Sequence, residues 1–211
     1  MAIATINLLR QLPLNEIPSA LPPSFNPRQV ICRELTRLED GSPRYIDIDR
    51  PTRTNEPRFT TVEEFARDVA LNGYVRNPPP PPEREENKWI DIKVSRDSYV
   101  VIFLSRSRAW EFTTLRYDDG TAQEGVTLMW LSDDHVDPLS HYGWLHYVDD
   151  SGVIHDRPAP NCRVAFFAAK PMRNPAHGDR YEQRICYVVD YPGGTHEFID
   201  PDIRFPGNGT S

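Results

Sequence analysis

The chain has 211 residues, enough to bury a sizeable core, with 38% hydrophobic residues and a formal net charge of −7. This negative charge argues against a nucleic-acid partner, because phosphate binding needs a basic surface. The 21 prolines, well above the usual ~5% of residues, argue against an all-helical protein.

The three cysteines, Cys32, Cys162 and Cys186, show no metal-binding spacing and leave one unpaired. We therefore expect reduced, buried thiols and a cytoplasmic location. The longest apolar runs, Tyr99–Leu104 and Val164–Ala169, are far too short to span a membrane, so we expect a soluble protein with no membrane partner.

In chain order, the first feature is a proline-rich arm. Residues 2–12 are compatible with a short strand or with a helix. Prolines then exclude regular structure up to residue 27; they are Pro13, Pro18, Pro22, Pro23 and Pro27. We expect an extended arm that packs on its own domain or on a neighbouring subunit.

A hairpin and one helix follow the arm. Gln29–Leu38 and Arg44–Asp49 are strand-compatible and flank an Asp40-Gly41 turn signal. Thr60 and Thr61 each precede a glutamate by three residues, which is the capping-box pattern of a helix start. Apolar residues at helical spacing follow, so the pattern predicts a helix over about residues 61–72.

Five consecutive prolines, Pro78–Pro82, followed by charged residues, indicate a stiff spacer over residues 78–86. A polyproline ligand for another protein is the alternative. This spacer divides the chain into an N-terminal segment, 1–77, with arm, hairpin and helix, a main domain, 87–205, and a flexible tail, 206–211.

The main domain alternates strands and turns. Tyr99–Leu104 and Arg163–Ala169 have the continuous apolar character of strands buried on both faces, and Arg180–Tyr191 alternates. Seven to nine such strands predict a mostly β protein, specifically an antiparallel β-sandwich of immunoglobulin-like or jelly-roll-like type. The one short helix belongs to the N-terminal α+β or extended segment.

Histidines and aspartates concentrate in the loop of residues 132–146, where any metal site is expected. Imidazole and carboxylate ligands suit Zn, Mn, Fe or Ni, although the spacings match no known signature. The candidate metal ligands are Asp133, His135, Asp137, His141 and His146. A solvated loop and a structural strand histidine are the plainer interpretation, so we expect no obligatory cofactor.

Aromatic and arginine side chains suggest a second kind of site. Arg106 and Arg108 lie beside Trp110 in the sequence, and such residues can stack on sugars or other flat ligands. Trp144 completes this candidate ligand-binding or partner-binding set. An exposed connection with no binding role is the simpler interpretation of the two arginines.

No catalytic motif is present, so the sequence favours a non-enzymatic binding or assembly protein, with itself as the expected partner. Pro-rich extended segments and abundant aromatics and arginines are typical of interaction proteins. A metal-dependent enzyme or sensor using loop 132–146 is the first alternative. A small-molecule or carbohydrate-binding β domain is the second.

Overall fold

The computed structural model describes residues 10–13, 29–37, 41, 43–47, 61–73, 92–114, 124–130, 142–171, 180–199 and 202–206. Within these ranges the chain forms thirteen strands, arranged in two sheets, and one helix. The prediction of a mostly β protein is therefore confirmed. The predicted metal ligands Asp133, His135, Asp137 and His141, the spacer 78–86 and the tail 207–211 lie outside the described residues.

The first sheet has seven strands centred on one long strand, β11, which pairs with four others. Its strands are β1 (Arg10–Pro13), β4 (Ile92–Lys93), β6 (Glu111–Phe112), β7 (Val126–Trp130), β11 (Arg180–Tyr191), β12 (Thr195–Ile199) and β13 (Asp202–Pro206). The N-terminal β1 pairs antiparallel with β7 at one edge. The candidate arm thus contributes a strand to this sheet.

The second sheet has six strands in the order β3-β2-β5-β10-β8-β9. They are β2 (Gln29–Arg37), β3 (Pro43–Asp47), β5 (Ser98–Leu104), β8 (Tyr142–Asp149), β9 (Ile154–His155) and β10 (Cys162–Ala169). Two strand pairs, β2 with β5 and β4 with β13, are parallel. The sheets are therefore mixed, which corrects the expectation of purely antiparallel pairing.

Helix α1 (Val62–Asn72) occupies the segment in which the sequence predicts a helix. The Thr61 hydroxyl accepts a hydrogen bond from the Glu64 backbone N–H at 3.2 Å, which satisfies one of the free donors of the first turn. Gly73 ends the helix at φ 64°, and its N–H donates to the Val69 carbonyl at 2.9 Å.

One core lies between the two sheets. Alternate residues of β5, Val100, Ile102 and Leu104, pack in the same cluster as Ile185 and Tyr187 of β11. Both sheets contribute aromatic side chains, and Phe112 meets Tyr147 edge-on at 5.5 Å between ring centroids. The sheets therefore pack face to face, as expected for a sandwich-like arrangement.

A second core lies on the other face of the second sheet, under α1. The intervening β5 residues, Val101 and Phe103, belong to it, together with strand residues from β2, β8 and β10. The helix contributes its buried face, which consists of Val62, Phe65, Ala66, Val69 and Ala70. Strand β5 is thus buried on both faces, as its continuous apolar run predicts.

The hairpin of the N-terminal segment shares a sheet with the main domain. Seven residues of β2, from Gln29 to Leu35, are in register with Ser98 to Leu104 of β5. The helix lies in the chain between these two parallel strands, so it serves as part of a crossover connection. Because β2 carries Ile31 and Leu35 into the core between the sheets, residues 29–37 are part of the main fold.

The core between the sheets contains a position that only glycine fits. Gly125 has φ 58°, and a Cβ built on it would lie 2.3 Å from the Tyr147 hydroxyl oxygen and 2.7 Å from two ring atoms. That hydroxyl, in a fully buried side chain, accepts the backbone N–H of Val126 at 2.8 Å. Burial raises the pKa of Tyr147, so the phenol stays neutral.

Candidate functional site

The hairpin formed by β8 and β9 carries two histidines on opposite faces of the second sheet. His146 packs on Phe166, with 5.3 Å between ring centroids, on the face that also holds α1. His155 is the register partner of Tyr147, whose side chain belongs to the core between the sheets. Because side chains alternate along a strand, the two imidazoles cannot act on one ligand within this hairpin.

Asp149 organises the turn between the two strands. Its Oδ1 accepts the Ser151 N–H at 2.9 Å, the Ser151 hydroxyl at 2.6 Å and the Val153 N–H at 3.0 Å. Its Oδ2 lies 2.9 Å from His155 Nε2. Partial burial opposes ionisation of Asp149, but these hydrogen bonds outweigh it and hold the pKa of the carboxyl well below its usual value.

These three residue types are those of a hydrolase triad, but their connections differ from a triad. In nucleophilic catalysis the serine hydroxyl donates to the histidine, which withdraws its proton. Here the Ser151 hydroxyl donates to Asp149 instead. The carboxylate therefore accepts from both neighbours, and the arrangement stabilises the turn without activating the hydroxyl.

The other histidine makes a simpler pair. His146 Nδ1 lies 3.1 Å from Asp156 Oδ1, and the Asp156 side chain is 92% exposed. Within the described residues the buried Nδ1 has no hydrogen-bond partner, so this is a close contact at ion-pair distance, and it leaves no room for an ion between the two atoms.

Across the described residues, no group of three or more histidine, cysteine, aspartate or glutamate side chains is placed to hold a metal ion. His146 is the one predicted metal ligand with a described position. The others lie outside the described residues, so the metal site of loop 132–146 stays a prediction.

Trp110, a candidate ligand-binding residue, lies in a cross-sheet cluster that we call the Arg37 clasp, made of Arg37, Trp110, Tyr191 and Glu197. Trp110 is 1% exposed, and its indole N–H donates to the Ser105 carbonyl at 2.8 Å. The Arg37 guanidinium carbon lies 5.9 Å from the centre of the Trp110 ring system, and Tyr191 packs on Trp110 at 5.9 Å between ring centroids. The ring thus serves as a buried platform within the fold.

The charges of the clasp are matched. Arg37 Nε donates to the Tyr191 hydroxyl at 3.2 Å, and that hydroxyl donates to Glu197 at 2.8 Å. The remaining Arg37 nitrogens reach Glu197 and the Gly41 carbonyl. Burial works against the charge on Arg37, but the bonds to Glu197 and Tyr191 outweigh it and raise the pKa of the guanidinium. Since Arg37 ends β2 and Glu197 lies in β12, the clasp joins the two sheets.

The two candidate arginines lie apart from the clasp and differ from each other. Arg106 donates to the carbonyls of Ala70 and of Leu71, the latter at 3.3 Å, at the C-terminus of α1. Arg108 is exposed, and its backbone carbonyl accepts from Arg163 at 3.3 Å. Trp144 belongs to β8, with its side chain outside the described part of the structure. A shared ligand site for these residues stays a prediction.

The three cysteines are buried and none of them forms a disulfide, as the sequence predicts. Burial raises the pKa of Cys162 to about 11, so its thiol is protonated at neutral pH and a poor nucleophile. Cys32 and Cys186 are each 2% exposed.

Sequence reasoning did not identify Asp149 or the Arg37, Tyr191 and Glu197 side chains of the clasp. Asp149 belongs to a DDSG turn and looks like an ordinary turn aspartate, although His155 six residues later is its partner. Arg37 and Tyr191 of the clasp are 154 residues apart in sequence, so no local pattern brings them together.

No family model matches the chain, and no curated protein matches it either. No helix among the described residues is long and apolar enough to cross a membrane.

Proposed function

We propose that this chain is a non-enzymatic binding or assembly protein that self-associates, built on a β-sandwich of immunoglobulin-like or jelly-roll-like type. The observation that carries the proposal is the position of β1. A four-residue strand from the proline-rich arm forms the edge of the first sheet and covers β7, which lies between it and β11. Strands added to a sheet edge are a recurring means of protein association, because main-chain hydrogen bonds supply affinity.

Exposed apolar side chains support the same proposal. Leu71 is 49% exposed, and a Cβ placed on Gly152 would lie 3.2 Å from its side chain; the next residue, Val153, is 51% exposed, so Leu71 and Val153 offer a small apolar patch. Phe198 on β12 is 44% exposed. Aromatic side chains are enriched at protein interfaces, where they bury a large area.

The three cysteines are buried and form no disulfide, which favours a reducing compartment, and we propose a cytoplasmic location on that basis.

Static light scattering on the full chain, over a hundredfold range of protein concentration, tests self-association. We expect a mass twice that of the 24.3 kDa chain at the upper end, falling toward the chain mass on dilution. A single chain mass at every concentration would contradict the proposal. Circular dichroism at both ends of the range is the control that the fold itself is unchanged.

A further inference from the structure

Helix α1 ends in an asparagine–glycine pair, Asn72-Gly73, whose side-chain chemistry has no part in the proposed function. Asn72 is exposed, and its side-chain amide donates to Asp68 Oδ1 at 2.7 Å. Asparagine is among the chemically labile residue types. We propose that Asn72 is a deamidation site that the closed helix end protects, and that Arg106 keeps this end closed. The modification replaces a neutral amide by a carboxylate and so changes the charge of the helix C-terminus.

The reaction consumes only water. The backbone nitrogen of Gly73 loses its proton and attacks the side-chain carbonyl carbon of Asn72, so that a C–N bond closes a cyclic succinimide and ammonia leaves. Water then opens the ring at either carbonyl, which gives aspartate or isoaspartate and returns the proton to nitrogen. Nothing is oxidised or reduced. Glycine favours the attack, because it has no side chain to obstruct its nitrogen and adopts many backbone conformations.

The closed helix end blocks this attack. The Gly73 N–H donates to the Val69 carbonyl at 2.9 Å, so the attacking nitrogen is engaged in the helix. In a helix each backbone N–H points along the axis toward the carbonyl four residues earlier, and thus away from the side chain of the residue before it. The leaving amide of Asn72 is also held by Asp68, one turn earlier. Deamidation therefore requires the last turn to open.

Arg106 holds the last turn from outside the helix. Its guanidinium donates to the carbonyls of Ala70 and of Leu71, the latter at 3.3 Å. A Cβ placed on Gly73 would lie 3.7 Å from Arg106 Cδ, so the side chain also packs beside the cap. The helix has no basic residue of its own in its last turn, and Arg106 supplies the cation that the C-terminus favours. Local opening breaks these contacts, so the rate of deamidation follows the population of the open turn.

The product favours the open state. A carboxylate at position 72 lies at the negative end of the helix dipole and four residues after Asp68, and both interactions are repulsive. The product also lacks the amide N–H that Asp68 accepts. Val69 and Ala70 in the same turn are each 1% exposed, so opening uncovers part of the core beneath α1. Deamidation at Asn72 therefore loosens the helix layer without any other covalent change.

Peptide mapping by mass spectrometry, on the full chain incubated at mildly alkaline pH, tests the proposal. Deamidation raises the mass of the tryptic peptide Asp68–Arg76 by about 1 Da. We expect this peptide to convert at least about tenfold more slowly in buffer than in urea, which removes the helix. The peptide Phe205–Ser211 carries the other Asn-Gly pair and is the internal standard, expected to match Asp68–Arg76 in urea. Equal rates for Asp68–Arg76 in buffer and in urea, or no conversion in urea, would overturn the proposal.

Arg106→Ala tests the control of the turn. We expect it to speed conversion of Asn72 in buffer about two- to fivefold, and to leave the rate in urea unchanged. Arg108→Ala is the matched control, because Arg108 is exposed and its backbone carbonyl, which alanine keeps, accepts from Arg163. Circular dichroism verifies that both variants are folded. Equal rates for wild type and Arg106→Ala in buffer would overturn the role of Arg106.

Hydrogen exchange measures the effect of the product on the helix end. Asn72→Asp introduces the new charge, and Asn72→Ala removes the amide without adding charge, so their difference isolates the repulsion. We expect the amide of Gly73 to exchange about two- to fivefold faster in Asn72→Asp than in Asn72→Ala. Equal exchange in the two variants would contradict the opening by charge.

Discussion

The two faces of the second sheet are packed by different means. The face under α1 is closed by a local element, a helix of eleven residues whose buried side chains repeat every three or four positions. The face toward the first sheet is closed by strands from distant parts of the chain. There Tyr147, Phe112 and Tyr187 pack edge to face, and the Arg37 clasp adds a matched set of charges.

The two faces therefore place different demands on their side chains. Under the helix, each side chain needs only suitable size and position, since aliphatic contacts are non-directional. Between the sheets, a glycine must admit the Tyr147 hydroxyl, and the phenol must meet one backbone N–H. We therefore expect substitutions that conserve side-chain volume to be tolerated on the helix face. Between the sheets, we expect the addition or removal of a single atom to reduce stability.

The largest effect is expected from Phe65→Ala, which empties the centre of the helix face. Phe65 is 5% exposed, and such truncations cost roughly 3–5 kcal/mol. Unfolding in urea, followed by circular dichroism, measures the loss. Arg67→Ala on the same helix is the control, because Arg67 is exposed and its truncation should cost less than about 1 kcal/mol. Two separate transitions for Phe65→Ala would show that the helix unfolds independently of the sheets. The stabilities of the two faces could then not be compared by a single free energy of unfolding.

Gly125→Ala tests the inter-sheet face. The positive φ costs a side chain about 1 kcal/mol, and the contact with Tyr147 adds about 2 kcal/mol, so we expect a loss of about 3 kcal/mol. Gly194→Ala is the matched control, with φ 81° but no atom within 4 Å of the added Cβ. It should show the backbone cost alone. Equal losses in the two variants would mean that the sheets separate freely to admit the methyl group.

Acid sensitivity distinguishes the two histidine–aspartate pairs, one on each face. The folded pKa of Asp149 lies below its ordinary 3.8, so its carboxylate stabilises the fold above about pH 4 and loses this contribution as the pH falls through the folded value. Asp149→Asn should cost about 1 kcal/mol at pH 7 and flatten the dependence of stability on pH below about 4.

Asp156→Asn is the control for this experiment, since its side chain is 92% exposed and its contact with His146 is not a hydrogen bond. We expect a change within about 0.5 kcal/mol. Urea titrations at several pH values between 2.5 and 7 record both variants. Parallel pH curves for wild type and Asp149→Asn would contradict a native role for the ionised Asp149.

The smallest effect is expected at Arg106. Helix α1 has no basic residue in its last turn, and Arg106, from the connection after β5, bonds the terminal carbonyls. Arg106→Ala should cost about 0.5–1 kcal/mol, because a cation at a helix C-terminus contributes that much. Arg106→Lys keeps the charge and should recover part of the loss at low salt. No difference between Ala and Lys would assign the effect to the hydrogen bonds of the guanidinium, since lysine keeps both the charge and the aliphatic stem.

The local features of the fold could be predicted from the sequence. Thr61 and Gly73 mark the ends of the helix, and the apolar run of β5 indicates burial on both faces. These signals lie within one element, where the periodicity of side chains reports the environment. The candidate metal and ligand sites stay predictions, since most of their residues lie outside the described part of the chain or in separate elements.

Pairing between elements that are distant in the chain could not be predicted from the sequence. The parallel partnership of β2 with β5 depends on the helix crossing between them, and strand patterns alone favour a separate hairpin. The Arg37 clasp joins residues 154 positions apart, and Gly125 is required only because Tyr147 comes from another sheet. Register and contact across sheets are set by global packing, which a single sequence does not display.

The central position of β11 in the first sheet has a consequence for the order of events during synthesis. The second sheet has its last strand once residue 169 is made, whereas β7 waits for Arg180–Tyr191 before it has its main partner. At about 5–20 residues per second, the interval between β7 and β11 is several seconds. Throughout that time the N-terminal strand, made first, has no completed edge to join. The first sheet is therefore completed only after β11 has been made, later in synthesis than the second sheet.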